Sequence, residues 1–175
     1  MIAQGRVEVD CRRIFIDKRL MPVFGNSGID RRYSVRPYAW FRQDQGWPER
    51  TEAFIEGASA LFRQAASKAL DQASLKPADI DAIVMVSSTG VATPSIEARV
   101  MSAMGFRDDV NRVPVFGLGC AGGVSGLALA GRLAQAEPGS RVLLVVIELC
   151  TLAFRPDEMS KSNIVATALF GDGAA

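Results

Sequence analysis

The residues best suited to chemistry lie in Val115-Phe116-Gly117-Leu118-Gly119-Cys120-Ala121-Gly122-Gly123, a glycine-rich run with a cysteine inside it. Three kinds of behaviour suit such a run. Gly117, Gly119 and Gly122 match the G-x-G-x-x-G spacing. A turn of that spacing cradles a pyrophosphate on backbone N–H groups, with an acid at the end of the next strand holding a ribose. Glu148 could be that acid, although it lies further along than the usual ~20 residues. Alternatively, a strand-to-helix turn presents Cys120 as a nucleophile. Glycines on both sides permit the tight turn. A helix N-terminus favours thiolate over thiol and offers N–H groups to an oxyanion. Cys120 could also be a small buried hydrophobe, the commonest fate of a free cysteine. Local pattern alone leaves all three open.

Any of these roles needs strands and helices to hold the turn. Apolar residues near helical spacing predict a helix over Arg12–Val23, ended by Pro22. Gly25–Trp47 reads as a polar, aromatic-rich connection. Phe54, Ile55, Ala58, Leu61, Phe62, Ala65, Ala69 and Leu70 recur at i, i+3, i+4 and i+7, so Glu49–Ala73 is an amphipathic helix, broken at Pro77. Ile80–Val86 is a strand, followed by the loop Ser87-Ser88-Thr89-Gly90. Ser95–Met104 is a helix closed by Gly105. Val113–Phe116 is a strand and Gly122–Ala136 a helix. Arg141–Glu148 is a strand without alternation, as expected when both faces are buried. Strand, helix, strand, helix, strand implies right-handed crossovers and a mostly parallel sheet. The Gly122–Ala136 helix is apolar or small almost all round, which predicts burial in a central layer between two surfaces.

Composition bounds the function. The chain has 175 residues, enough for one domain with a sizeable core. Lys plus Arg is 20 and Asp plus Glu is 19, so global charge points to neither nucleic acid nor a membrane surface. No apolar run is long enough to span a bilayer. Met1–Asp10 lacks the apolar stretch of a signal peptide. An odd set of 3 cysteines makes no disulfide framework, and a cytoplasmic location is expected. With no histidine and no close cysteine pair, no metal site is expected. Cys150 and Cys11 read as packing residues, and Asp172 in Gly-Asp-Gly as a turn residue.

The segment GLGCAGGVSGLALAGRLAQAEPGSRVLLVVIELCTLAFRP, followed by ATALFGDGAA, resembles the type III polyketide synthases. These are the chalcone and stilbene synthase-like branch of the thiolase superfamily, and the bacterial members are most similar. The likeness extends upstream through SSTGVATPSIEARVMSAMGFRDDVNRVPVFG, ERTEAFIEGASALF and RLMPVFGNSGIDRRYSV, covering the chain from about Arg12 onward.

The resemblance implies the N-terminal half of a thiolase-like, layered α-β-α-β-α fold, with a mostly parallel mixed sheet and a buried central helix. It also implies a homodimeric acyltransferase that takes a starter acyl group from acyl-CoA. The enzyme extends that group with malonyl-CoA by decarboxylative condensation, with coenzyme A thioesters as substrates and no other cofactor. Cys120 matches the nucleophile. Phe170 matches a phenylalanine guarding the junction of the CoA tunnel and the cavity. Ser88, Thr89 and Ala153 match cavity positions, Ala153 where plant members often carry threonine. Thr93 falls where plant members place a methionine that crosses the dimer interface. Arg19 matches a basic residue that holds CoA phosphates. The family's catalytic histidine and asparagine belong to its second half, so residues 1–175 are expected to form one N-terminal domain that needs a C-terminal half. Related condensing enzymes share the nucleophile: ketoacyl-carrier-protein synthases and hydroxymethylglutaryl-CoA synthases. They remain alternatives, as do a non-catalytic fragment and a dinucleotide-binding unit.

Overall fold

The computed structural model describes residues 2–3, 6–10, 21–158 and 160–175. Its strands are β1 (Ile2–Ala3), β2 (Arg6–Glu8), β3 (Tyr33–Ser34), β4 (Ala82–Ser87), β5 (Asn111–Phe116), β6 (Val142–Leu149) and β7 (Asp172–Ala174). Its helices are α1 (Met21–Asn26), α2 (Tyr38–Phe41), α3 (Trp47–Ala73), α4 (Ile96–Met104), α5 (Gly122–Ala136) and α6 (Lys161–Leu169). Three short 3-10 turns stand at Pro77–Asp79, Gly119–Ala121 and Cys150–Ala153.

The main sheet has the order β5-β4-β6-β7. β4 pairs in parallel with both β5 and β6, while β7 runs antiparallel to β6. This is the mixed, mostly parallel sheet expected from the alternation of elements. β1, β2 and β3 form a separate antiparallel sheet, which is too short and too irregular to show in residue patterns.

The sheet is covered unequally. On one face, α3 and α4 close the main core, where Phe54, Leu61 and Phe62 meet Ile83, Met85, Val145 and Ile147. On the other face, α5 packs over Val84 and Val86 through Ala130, with Leu129, Leu133, Leu144 and Val146 partly buried around them. The sheet-facing stripe of α5 is Gly122, Gly126 and Ala130. A Cβ added to Gly122 would stand 2.8 Å from a Val86 methyl, and one added to Gly126 would stand 2.7 Å from the other. These glycines therefore set how close the helix lies to the sheet.

Two expectations need correcting. β6 does alternate: Leu143, Val145, Ile147 and Leu149 are buried, and the residues between them are half-buried. Its α3 side is sealed, whereas its α5 side is not. The Gly122–Ala136 helix, by contrast, has the expected bounds and packs one face on the sheet as a central-layer helix should, leaving the other face open. Val124 is 76% exposed and Leu127 is 65% exposed. Pro22 also does not end a helix, since α1 continues past it to Asn26, and 12–20 lie outside the described residues.

Asp172 is no simple turn residue. It is buried and accepts hydrogen bonds from Val35 N at 2.8 Å, Thr151 N at 2.8 Å and Thr151 Oγ1 at 2.7 Å. Ser34 Oγ lies 2.8 Å from Thr151 Oγ1 and completes the relay, because the threonine proton is already committed to Asp172. One carboxylate thus joins β7, the turn after β6 and the residue after β3. Removing it leaves several buried donors unpaired, each costing about 1–3 kcal/mol. Asp172→Ala is therefore expected to cost on the order of 3 kcal/mol or more in urea unfolding, with Asp172→Asn losing less. An Asp172→Ala loss below about 0.5 kcal/mol, the surface range, would refute this role.

The bare face of α5 carries a second expectation. Val124 and Leu127 lie one turn apart, and Phe116 and Leu118 are also exposed. Apolar surface of this kind drives association. The chain is expected to self-associate in size-exclusion chromatography with light scattering. The double substitution Val124→Gln and Leu127→Gln should reduce that, with stability kept within about 0.5 kcal/mol because both side chains are already exposed. A monodisperse wild-type monomer that binds no hydrophobic dye would contradict it.

Candidate active site

Parallel β4, β5 and β6 all end at the same edge of the sheet, and the chain turns out of each there. The turn after β5 contains Gly117 at φ 83° and Gly119 at φ 53°. A side chain at either position would be strained in this left-handed region. Between them and α5, the 3-10 turn Gly119–Ala121 holds Cys120 exposed to solvent. The buried-hydrophobe expectation for Cys120 therefore fails, because no apolar shell encloses the thiol.

The loop after β4 fastens this turn. Gly119 N donates to Ser88 Oγ at 2.9 Å. Ser88 N donates to the Glu148 carboxylate at 3.0 and 3.1 Å. Leu149 N donates to Thr89 Oγ1 at 2.7 Å. Ser88 and Thr89 thus tie the ends of β5 and β6 together across β4. Glu148 spends its carboxylate inside the chain, on the Ser88 amide, and the Gly119 amide is spent on Ser88. A dinucleotide cradle needs both to face a ligand.

The other predicted positions fall around the same edge. Ala153 is exposed in the turn Cys150–Ala153 that follows β6. Phe170 caps the C-terminus of α6 and is 42% exposed. It precedes β7, whose Asp172 pairs with Leu149, so Phe170 lies near the end of β6. Thr93 is exposed on the connection from β4 to α4. Arg99 closes that connection, donating from Nη2 to the Thr93 carbonyl at 3.0 Å and from Nε to the Pro94 carbonyl at 2.8 Å. Arg19 lies outside the described residues, as does Cys11.

Cys150 is half-buried just past the end of β6. Burial, then the nearby charge of Glu148, pushes its thiol up to about 11. A thiol in that state is inert at neutral pH. Glu148 and Asp172 are the two residues whose structural work sequence reasoning missed. Glu148 had a visible signal, a single acid closing the apolar strand Val142–Leu149. Asp172, between two glycines, had none. Among the described residues no cluster of His, Cys, Asp or Glu could hold a metal ion. No helix among them is long and apolar enough to cross a membrane.

Comparison with known proteins matches this architecture. The family model for chalcone and stilbene synthases, N-terminal domain, matches residues 36–175. A 1,3,6,8-tetrahydroxynaphthalene synthase of Streptomyces peucetius is 43% identical over 150 residues, covering 86% of this chain and 40% of that protein. Type III polyketide synthase A of Arabidopsis thaliana is 33% identical over 177 residues, covering 96% of this chain and 45% of that protein. Among solved structures, the 1,3,6,8-tetrahydroxynaphthalene synthase of Streptomyces coelicolor superposes with a TM-score of 0.88 at 27% identity, covering 99% of this chain and 53% of that one. The chain spans about half the length of the curated relatives it matches.

The exposure of Cys120 and the raised thiol of Cys150 separate the two described cysteines. In a Cys11→Ser background, brief iodoacetamide treatment at pH 7 is expected to label Cys120 well before Cys150. Cys150 labelling should climb steeply only as pH approaches about 11. Peptide mass spectrometry reads both sites, and equal rates at pH 7 would remove Cys120 as the nucleophile.

Proposed function

The chain belongs to the chalcone and stilbene synthase family, as its N-terminal domain, and from that membership we propose that it is the acyl-accepting half of a type III polyketide synthase. The observation that carries the proposal is an exposed Cys120 in a glycine-strained turn, held at the ends of three parallel strands by Ser88. That arrangement leaves room for a thioester to approach and keeps the sulfur in one place.

The Cys120 thiolate attacks the thioester carbonyl of an acyl-CoA. The tetrahedral oxyanion collapses, and coenzyme A leaves as its thiol after taking a proton. Malonyl-CoA then loses carbon dioxide, and the resulting enolate attacks the acyl carbonyl on Cys120. A carbon–carbon bond forms, the C–S bond breaks, and the Cys120 thiolate returns. The product is a CoA thioester two carbons longer.

Phe170 and Ala153 stand at the mouth of this site as gate and wall, with Ser88 and Thr89 forming its floor. Those two hydroxyls already accept backbone N–H groups, so their contribution to a substrate is shape and rigidity. Thr93 faces a second copy in a homodimer, and Arg19 meets CoA phosphate. A histidine and an asparagine from a C-terminal half stabilise the enolate and the oxyanion, since this chain has no histidine. A reducing cytoplasm suits the free thiol, and coenzyme A thioesters are the only small molecules the scheme uses.

Oxyanion donors of this kind are worth about 10²–10³ in rate each. The 175-residue chain alone is therefore expected to show no multiple-turnover product from malonyl-CoA and a starter CoA, by mass spectrometry. Co-expression with the C-terminal half of a similar synthase should restore product, and Cys120→Ala should abolish it. Product from the chain alone, lost in Cys120→Ala, would mean that the site is complete without the second half. Saturable NAD binding in calorimetry would revive the dinucleotide alternative.

A further inference from the structure

Arg32 is buried, at 9% exposure, and its side chain joins two elements far apart in the sequence. Nη2 donates to the Ser27 hydroxyl at 2.9 Å and Nη1 to the Ile29 carbonyl at 3.3 Å, which closes the segment after α1. The same Nη2 donates to the carbonyl of Ala168, in the last turn of α6. Phe24 of α1 supports the guanidinium, with Cζ 5.7 Å from its ring centroid, and packs with Ile164 and Ala168 of α6.

The Ala168 carbonyl needs such a donor, because a helix leaves its last carbonyls without intrahelical amides. Ala166 still receives the amide of Phe170. The residue four beyond Ala168 is Asp172, which already belongs to β7. A cation also suits the negative end of a helix. Phe170 is the extended residue at which the chain leaves α6. Two residues before it stands Ala168, held by Arg32. Two residues after it stands Asp172, held by Val35 and Thr151. Gly171 runs against the backbone of Tyr33, where a Cβ would stand 3.5 Å from the Tyr33 carbonyl oxygen. The segment 32–35 therefore grips the backbone on both sides of Phe170, while the phenyl ring stays exposed. Loosening Asp172 would also release the turn Cys150–Ala153, whereas loosening Arg32 leaves that turn tied.

We propose that Arg32 is a positioning residue for the gate: its hold on the end of α6 sets where Phe170 stands, and so which acyl groups reach Cys120. The inference rests on the reading of Phe170 as the gate of the thioester site. Lysine at position 32 would keep the charge but lack the planar fork that spans these acceptors.

The test uses the chain co-expressed with the C-terminal half of a similar synthase, with acetyl-CoA and octanoyl-CoA as alternative starters. The readout is the ratio of their kcat/KM values. Phe170→Ala removes the gate and calibrates the full shift of that ratio toward octanoyl-CoA. Arg32→Lys is expected to shift it the same way by about tenfold, the equivalent of one hydrogen bond. Ser27→Ala, which removes one anchor of the guanidinium, should give a smaller shift. In the Phe170→Ala background, Arg32→Lys should move the ratio no further, since residues that act through one another are not additive. A merely structural role would lower both starters alike and leave the ratio where it was. A second readout needs no turnover. With 4-fluorophenylalanine at position 170 of the full chain, the fluorine NMR resonance should shift or broaden in Arg32→Lys and in Ser27→Ala, with circular dichroism unchanged. A resonance indifferent to both substitutions would overturn the inference, as would an Arg32→Lys shift of the ratio that persists undiminished without Phe170. A ratio moved by Phe170→Ala but not by Arg32→Lys would overturn the inference alone. A ratio unmoved by Phe170→Ala would overturn the gate reading, and the inference with it.

Discussion

The site depends on two adjacent residues, Ser88 and Thr89, that act as a cross-tie. A parallel sheet delivers three strands to one edge, but nothing in the ladder fixes the loops beyond it. Here the Ser88 hydroxyl takes the Gly119 amide, the Ser88 amide goes to Glu148, and the Thr89 hydroxyl takes the Leu149 amide. Three loop-end amides are satisfied at once, across β5, β4 and β6. A nucleophile needs positional precision on the scale of a fraction of an ångström. Glycine-rich turns are intrinsically the least able to supply that. The tie reconciles the two demands: Gly117 and Gly119 adopt backbone angles that only glycine takes easily, and Ser88 removes the freedom that comes with them.

A second fastening lies behind the first. β6 leads into the turn Cys150–Ala153 after supplying Glu148 and Leu149 to the cross-tie. That turn is pinned by Asp172 through both the amide and the hydroxyl of Thr151. Asp172 reaches further, to Val35, and so joins the segment after β3 to the edge strand β7. Glu148, two residues before Cys150, and Asp172, bonded to the following residue Thr151, therefore bracket Cys150. Their negative charge adds to burial in holding that thiol neutral. The scaffold that positions Cys120 also keeps the neighbouring cysteine out of the chemistry.

Legibility in the sequence followed the length scale of each interaction. α3, α4 and α5 were visible because amphipathic spacing and glycine stops act within a few residues, and the Gly122–Ala136 bounds agree with the structure. β4, β5 and β6 shifted by only one or two residues at their ends. Cys120 was visible as a nucleophile candidate because the glycines around it are local. β1, β2, β3 and β7 were not, being two or three residues long and defined by partners far away in the chain. Asp172 was misjudged for the same reason: Gly-Asp-Gly is a turn signal locally, and its donors, Val35 and Thr151, are remote. Glu148 was recognised as an acid at a strand end, but its partner on the neighbouring loop could not be inferred from spacing.

α5 shows how one composition can answer two different constraints. The helix reads as uniformly apolar, yet its small and large residues occupy different sides for different reasons. Gly122, Gly126 and Ala130 are small because the helix lies against Val86, where Cβ atoms at either glycine would collide with the valine methyls. That close approach brings the N-terminus of α5 down to the ends of the strands, where the Cys120 turn begins. Val124 and Leu127 are large on a side where the described chain offers no cover. Large apolar residues on an exposed helix face imply a surface that meets them, whereas polar residues would have served contact with water. The sheet-facing side sets how the Cys120 turn lies over the strand ends, and the opposite side is left apolar and exposed. Small residues chosen for close packing and large residues on an open face both read as apolar, which is why composition alone does not separate the two roles.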